Sequence, residues 1–249
     1  MKSLKKSLWM MKWNWKNSYF SLLIFYTVII LLYIFAAVLL TVQSENIQLN
    51  GANMSACVML MILGIVLFSQ GIRFGLVNGV SRRSIYGGMA MFSVVLTLLM
   101  TAVDTLLSAL FNSVSSGIMN TFELLYPGFI ESHSAFQNIL SVILASLAFN
   151  LLATILGFFI GAIYYRMNKV VKMVVSIGVP AFFVMVLPMG FMLLPESVQA
   201  SIFEFIGNVG VTLFATPYTF ALTFLGISVI LGFFIWLLIR RAPAKTVSW

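Results

Sequence analysis

YFSLLIFYTVIILLYIFAAVLLTV, residues 19–42, decides the fold class, because it has no charged side chain and is long enough to cross a bilayer. A spanning helix needs about 20 mainly apolar residues for a hydrocarbon core of roughly 30 Å. Backbone polar groups inside lipid must be satisfied internally, so such a run predicts a helix. Similar charge-poor runs recur along the chain, and together they predict spans near 19–42, 53–72, 88–112, 137–165, 171–193 and 217–239.

The composition excludes a water-soluble domain. Hydrophobic residues make up 61% of the chain and charged residues only 8%, whereas soluble domains carry about 45–50% apolar and about 25% charged residues. The alternation of apolar and polar residues that is typical of a membrane β-barrel is missing. The sequence therefore predicts an all-α integral membrane protein, with residues 1–249 forming a single transmembrane domain of six spans.

The charges predict the orientation. All basic residues fall before span 1, between spans 2 and 3, between spans 4 and 5, or after span 6, and the acidic residues outside the spans fall on the other side. Because basic loops stay in the cytoplasm, both termini are expected there, in a multi-pass protein of the cell membrane. The net charge of +8 then reflects topology, and no nucleic-acid partner is expected.

Three segments outside the spans have an amphipathic pattern. In residues 1–18, Leu4, Leu8, Met11 and Trp15 form one apolar stripe among lysines, which predicts an interfacial helix in contact with membrane lipid; a frayed tail that only sets topology is the alternative. GIRFGLVNGVSRRSIYGG, residues 71–88, predicts a short helix at the cytoplasmic surface. Residues 194–216 contain an apolar run too short to span, which predicts a short external helical segment between spans 5 and 6.

Span 3 contains a stripe of polar side chains, with Asp104 as the one ionisable residue inside a span. Span 4 has a matching stripe that continues into Gly157 and Gly161. Two interpretations stay open: a translocation path or proton-linked site, because a charge in lipid is costly and usually functional, and hydrogen bonding between closely packed helices. The polar candidates are Thr97, Thr101, Asp104, Ser108, Asn150 and Thr154.

Catalytic and metal-binding patterns are missing from the sequence. There is no GxxxxGK[ST] loop, no GxSxG and no HExxH. One histidine and one cysteine cannot form a His/Cys metal site. We therefore expect neither enzymatic activity nor a cofactor bound by this chain.

The layout and two short segments resemble the permease subunit of ABC-2 type ABC transporters. The segments are NGVSRRSIYGG at 78–88, between spans 2 and 3, and LLIRRAPAK at 237–245, at the end of the chain. The similarity is to small bacterial six-span permeases, and the chain length is similar to that of lantibiotic-immunity permeases.

This resemblance implies a partner and a mechanism. The segment between spans 2 and 3 would be a coupling helix that docks on a separate ATPase, present in two copies, which binds the ATP and Mg²⁺. A second permease chain, either identical or a sister, would meet this one at spans 2 and 5. The substrate would be a hydrophobic or amphipathic peptide, drug or lipid-like molecule that is exported or extracted. The implied ATPase contacts are Gly79, Ser81, Arg82, Arg83, Ser84 and Ile85.

Other functions fit the same span count. A six-span substrate-binding subunit of an energy-coupling-factor importer is similar in size and also lacks a nucleotide site. A non-transporting immunity or sensor protein that sequesters a peptide is another alternative. A membrane enzyme is disfavoured, because the sequence lacks the catalytic patterns named above.

Overall fold

The computed structural model describes residues 2–42, 52–114 and 121–240, and these residues are almost entirely helical, with no strand among them. The helices are α1 (Lys2–Val42), α2 (Ala52–Val77), α3 (Arg82–Val114), α4 (Thr121–Leu125), α5 (Pro127–Ser132), α6 (Ala135–Arg166), α7 (Lys169–Ala181), α8 (Leu187–Met192), α9 (Glu196–Leu213) and α10 (Pro217–Arg240). A single π-helical turn, Phe182–Val186, joins α7 to α8.

Six helical stretches in the described residues are long and apolar enough to cross a membrane. They are Ser3–Phe35, Met54–Val77, Arg82–Ser113, Ala135–Arg166, Lys169–Met192 and Pro217–Arg240. The prediction of an all-α, multi-pass membrane protein is therefore confirmed, in that six helices have the length and composition needed to span a membrane.

The helices pack as a bundle in which α6 lies between α2 and α10, while α1 runs along α3. The α2–α6 contact is close because glycines meet there: a Cβ atom added to Gly64 would lie 2.7 Å from the carbonyl oxygen of Thr154. On the other side of the contact, a Cβ atom on Gly157 would collide with the carbonyl oxygen of Met61. Small residues of this kind let helix backbones approach closely where lipid supplies no hydrophobic driving force.

Helix α1 contains the segment for which an interfacial helix is expected, and the position of that segment in the membrane interface stays a prediction. Residues 2–18 are helical, but they continue without a break into the first span, in one helix of 41 residues. At 1.5 Å per residue this helix is about 60 Å long, which is twice the hydrocarbon core. Its first turns are not a separate element because they pack into the bundle, where Gly71 and Gly88 leave room for Asn14 and Met10.

The connection between α2 and α3 has no helix of its own, so the expected coupling helix is not confirmed as a separate element. Residues 71–77 complete α2 and residues 82–88 begin α3, so only the turn 78–81 separates the two helices. The apolar residues of this segment belong to the ends of the spanning helices, and Val80 and Ile85 are buried.

The fifth span stands apart from the others. None of the residues of α7, the π-helical turn or α8 is buried, and these elements pack extensively only against one another. The π-helical turn precedes Pro188, which lacks a backbone N–H, and local π geometry is a common way to accommodate such a residue in a spanning helix. The predicted segment after span 5 is one helix, α9, which also has no buried residue.

Candidate functional sites

The first candidate site is the basic-end turn, which we define as residues 78–83, at the bundle end that also carries Arg166 and Arg240. Helix α2 ends there in a Schellman motif: the backbone N–H of Val80 donates to the Gly75 carbonyl (2.8 Å) and that of Gly79 to the Leu76 carbonyl (3.1 Å). Gly79 has a φ of +65°, a left-handed conformation that glycine adopts without steric cost. The end of α2 is therefore sharply defined.

The start of α3 is equally well defined. The Ser81 hydroxyl accepts a hydrogen bond from the Ser84 backbone N–H (3.3 Å), which is the bond that an N-cap serine makes. The Ser84 hydroxyl in turn lies 3.1 Å from that of Ser3 on α1. Lys6 on α1 donates to the Gly79 carbonyl (3.4 Å). The basic-end turn is thus held by three helices.

The structure separates the six implied ATPase contacts into two groups. Ser84 and Ile85 are 1% and 0% exposed, because they pack under α1 and against Gly75. Neither side chain is accessible to a partner protein in this conformation, and their role as ATPase contacts stays a prediction. Gly79, Ser81, Arg82 and Arg83 are exposed.

The two arginines of the turn also face α10. Arg82 donates from Nη1 to the Arg240 carbonyl (3.3 Å), where a cation is favoured by the helix dipole. Arg83 borders a groove of about 440 Å³ between α3 and α10, together with Tyr86 and Trp236. The turn therefore contacts α10 as well as the two helices that it joins.

The second candidate site is the polar cluster, which we define as Tyr26, Thr101, Asp104 and Asn150. Asp104 is 7% exposed, and the Tyr26 hydroxyl on α1 donates to its Oδ1 (3.0 Å). One turn away on α3, Thr101 Oγ1 accepts a hydrogen bond from Asn150 Nδ2 on α6 (3.1 Å). The cluster thus joins α1, α3 and α6. Asp104 Oδ2 has no hydrogen-bond partner among the described residues.

The other members of the predicted polar stripe do not join this cluster. Thr97 and Thr154 are buried, and their hydroxyls donate to carbonyls of their own helices, at Ser93 (2.8 Å) and Asn150 (2.9 Å). Such local bonds satisfy a hydroxyl without a partner helix or water. Ser108 is also buried, and it lines a small cavity of about 100 Å³ near Asn112 and Glu123. This arrangement favours helix packing over a continuous polar path.

The sequence did not point to Tyr26, because this residue lies in an apolar run without a regular pattern of polar residues around it. The signal that could have identified it is Asp104 itself, because a buried carboxyl group needs a hydrogen-bond donor. In the part of the chain that the structure describes, no group of three or more His, Cys, Asp or Glu residues could hold a metal ion.

Comparisons of the chain with protein-family models, with curated proteins and with solved structures find no match.

Proposed function

We propose that this chain is the membrane-spanning permease subunit of an ATP-driven ABC transporter, of the ABC-2 type that its sequence resembles. It exports or extracts a hydrophobic or amphipathic molecule, and separate ATPase subunits hydrolyse the ATP. The observation that carries this proposal is the basic-end turn, which is exposed at its tip and held in place by α1, α2 and α3.

The turn has the mechanical properties that coupling requires. Arg82 and Arg83 are both exposed, the Arg82 guanidinium donates to the Arg240 carbonyl at the end of α10, and the Gly79 carbonyl accepts a hydrogen bond from Lys6 on α1. A push on the tip therefore moves spanning helices as a unit instead of deforming a loose loop. Bistable packed elements transmit motion in this way, and flexible loops do not.

The distribution of basic residues supports a cytoplasmic position for this turn. Arg82, Arg83, Arg166 and Arg240 lie at the same end of the bundle, and basic residues are retained on the cytoplasmic side during insertion. On this proposal the basic-end turn lies in the compartment that holds ATP.

The uncovered fifth span supports a second permease chain. A spanning helix that packs against little of its own chain has a face available for another protein, and Gly178 and Gly190 on it have no neighbouring atoms in reach of a Cβ. Small residues favour close helix approach inside lipid. We propose that α7 and α8 contact the second chain, identical or sister.

Co-purification tests the proposed ATPase docking. The charge reversal Arg82→Glu/Arg83→Glu is expected to abolish co-purification of the ATPase, because both side chains are exposed at the tip of the turn. Lys169→Glu/Lys172→Glu, the same charge change at the exposed start of α7, is the matched control and is expected to retain the ATPase. Undiminished ATPase binding by a correctly inserted Arg82→Glu/Arg83→Glu protein would contradict the proposal.

A further inference from the structure

A groove of about 610 Å³ lies between the first turns of α1 and the adjoining part of α3. This volume is within the range of roughly 300–1,000 Å³ that is usual for ligand sites. The groove wall is almost entirely apolar and two lysines border it; the residues that matter here are Lys12, Trp15, Lys16, Phe92, Val95 and Leu99.

The floor of the groove is apolar. Trp15 and Phe92 meet edge to face, with ring centroids 6.4 Å apart, and close the base between the two helices. Val95 and Leu99 continue the surface along α3, one turn apart, in the direction away from the basic-end turn. Both are more than a third exposed, so the floor is open to lipid.

The two lysines that border the groove, Lys12 and Lys16, lie one turn apart on the same face of α1 and are both exposed. Their depth follows from the packing of α1. Lys6 reaches the Gly79 carbonyl at the basic-end turn, and Lys12 is six residues further along, or about 9 Å deeper. At this depth Trp13 stacks on Phe74, one residue from Arg73. Tryptophan and basic side chains at one level mark the headgroup region.

We infer that this groove binds one anionic phospholipid from the leaflet at the basic end. The phosphate lies between the ammonium groups of Lys12 and Lys16, and one acyl chain lies over Phe92, Val95 and Leu99. Charge complementarity selects an anionic headgroup, while the depth of the apolar floor selects a molecule with a hydrocarbon chain. A free phosphate would use only the lysines. A peptide would place unsatisfied backbone groups over an apolar floor.

The test counts bound lipids on purified full-length protein by native mass spectrometry, with phosphatidylglycerol and phosphatidylcholine as the two probes. The wild-type protein is expected to bind one phosphatidylglycerol more tightly than any phosphatidylcholine. A basic residue near anionic lipid strengthens binding about fivefold, so Lys12→Ala/Lys16→Ala is expected to weaken phosphatidylglycerol binding roughly 30-fold. Its phosphatidylcholine binding is expected to stay unchanged.

Two further variants separate a built site from general electrostatic attraction. Lys169→Ala/Lys172→Ala removes the same charge from the start of α7 and is expected to change phosphatidylglycerol binding by less than about threefold, because it leaves the groove intact. Val95→Trp places a bulky ring over the apolar floor without changing a charge and is expected to weaken phosphatidylglycerol binding. An equal loss of phosphatidylglycerol binding in the two double-lysine variants would overturn the inference. Undiminished phosphatidylglycerol binding by Val95→Trp would also overturn it.

Discussion

At the scale of single residues, the pair Tyr26–Asp104 explains how an acidic side chain is accommodated inside the bundle. The tyrosine hydroxyl reaches Asp104 Oδ1 from a neighbouring helix (3.0 Å), and the carboxyl group is buried. A hydrogen bond between membrane helices contributes about 0.6 kcal/mol on average and up to roughly 1.7 kcal/mol. Tyr26 therefore matters more for stability than its position in an apolar run suggests.

We expect Tyr26→Phe to lower the unfolding free energy by about 0.6–1.7 kcal/mol, because it removes the donor and leaves the ring in place. Thermal unfolding in detergent measures the change. Tyr19→Phe is the matched control and is expected to have no effect, since Tyr19 is half exposed to lipid. In an Asp104→Ala background the Tyr26 substitution should cost less, because only the contacts of the hydroxyl with the Met100 carbonyl oxygen (3.3 Å) and Sδ (3.1 Å) are then lost. An equal cost in both backgrounds would show that the bond to Asp104 contributes nothing.

The polar residues also show what a sequence can reveal at this scale. Helical spacing correctly placed Thr101 and Asp104 on one face of span 3, because that relation depends only on the turn of one helix. The contacts of Tyr26 and the burial of Ser84 and Ile85 depend on where α1 docks, and no local pattern contains that information.

At the scale of elements, the α2–α6 contact depends on glycines, which have no side chain to hold the helices apart. A Cβ atom on Gly157 would collide with the Met61 carbonyl, and the opposing Gly64 faces the backbone of Thr154. Backbone atoms cannot rotate away as a side chain can. The helices themselves would have to separate, at the expense of the contacts around them.

We therefore expect Gly157→Ala to lower the unfolding free energy by roughly 1–3 kcal/mol, the usual effect of overpacking a core. The control is Gly226→Ala in α10, where no atom of the described residues lies within reach of a Cβ. Alanine favours a helix by about 1 kcal/mol over glycine, so this control should be neutral or stabilising. Thermal unfolding of both variants compares them directly, and equal melting temperatures would refute the close contact.

The elements show a second limit of sequence reasoning. Length and apolarity were enough for six spans, since lipid imposes both. They did not reveal that α1 is one continuous helix. A change from charged to apolar residues marks where the surroundings of the chain change from water to lipid, and a helix can continue through that change. The expected coupling helix is likewise not confirmed as a separate element, because residues 71–88 complete α2, form the turn 78–81 and begin α3.

At the scale of the whole molecule, the features separate by position. The basic-end turn and the groove beside Lys12 and Lys16 lie at one end of the bundle. The polar cluster lies inside the bundle. Among the described residues, the fifth span lies outside the packed part of the bundle. In the proposed half-transporter, the end with the turn would receive the force, the polar cluster would keep helices together, and the uncovered span would meet a second chain.

The central claim is that an ATPase docks on the basic-end turn, and photocrosslinking from Ser81 tests it most directly. Ser81 is exposed at the tip of the turn, and Ser201 on α9 is an exposed control position in a different element. A photoreactive amino acid at position 81 of the full chain in living cells is predicted to form an adduct with an ATPase that carries a phosphate-binding loop, while one at position 201 forms none. A correctly inserted protein with no ATPase adduct at position 81, or with equal adducts at both positions, would contradict the account.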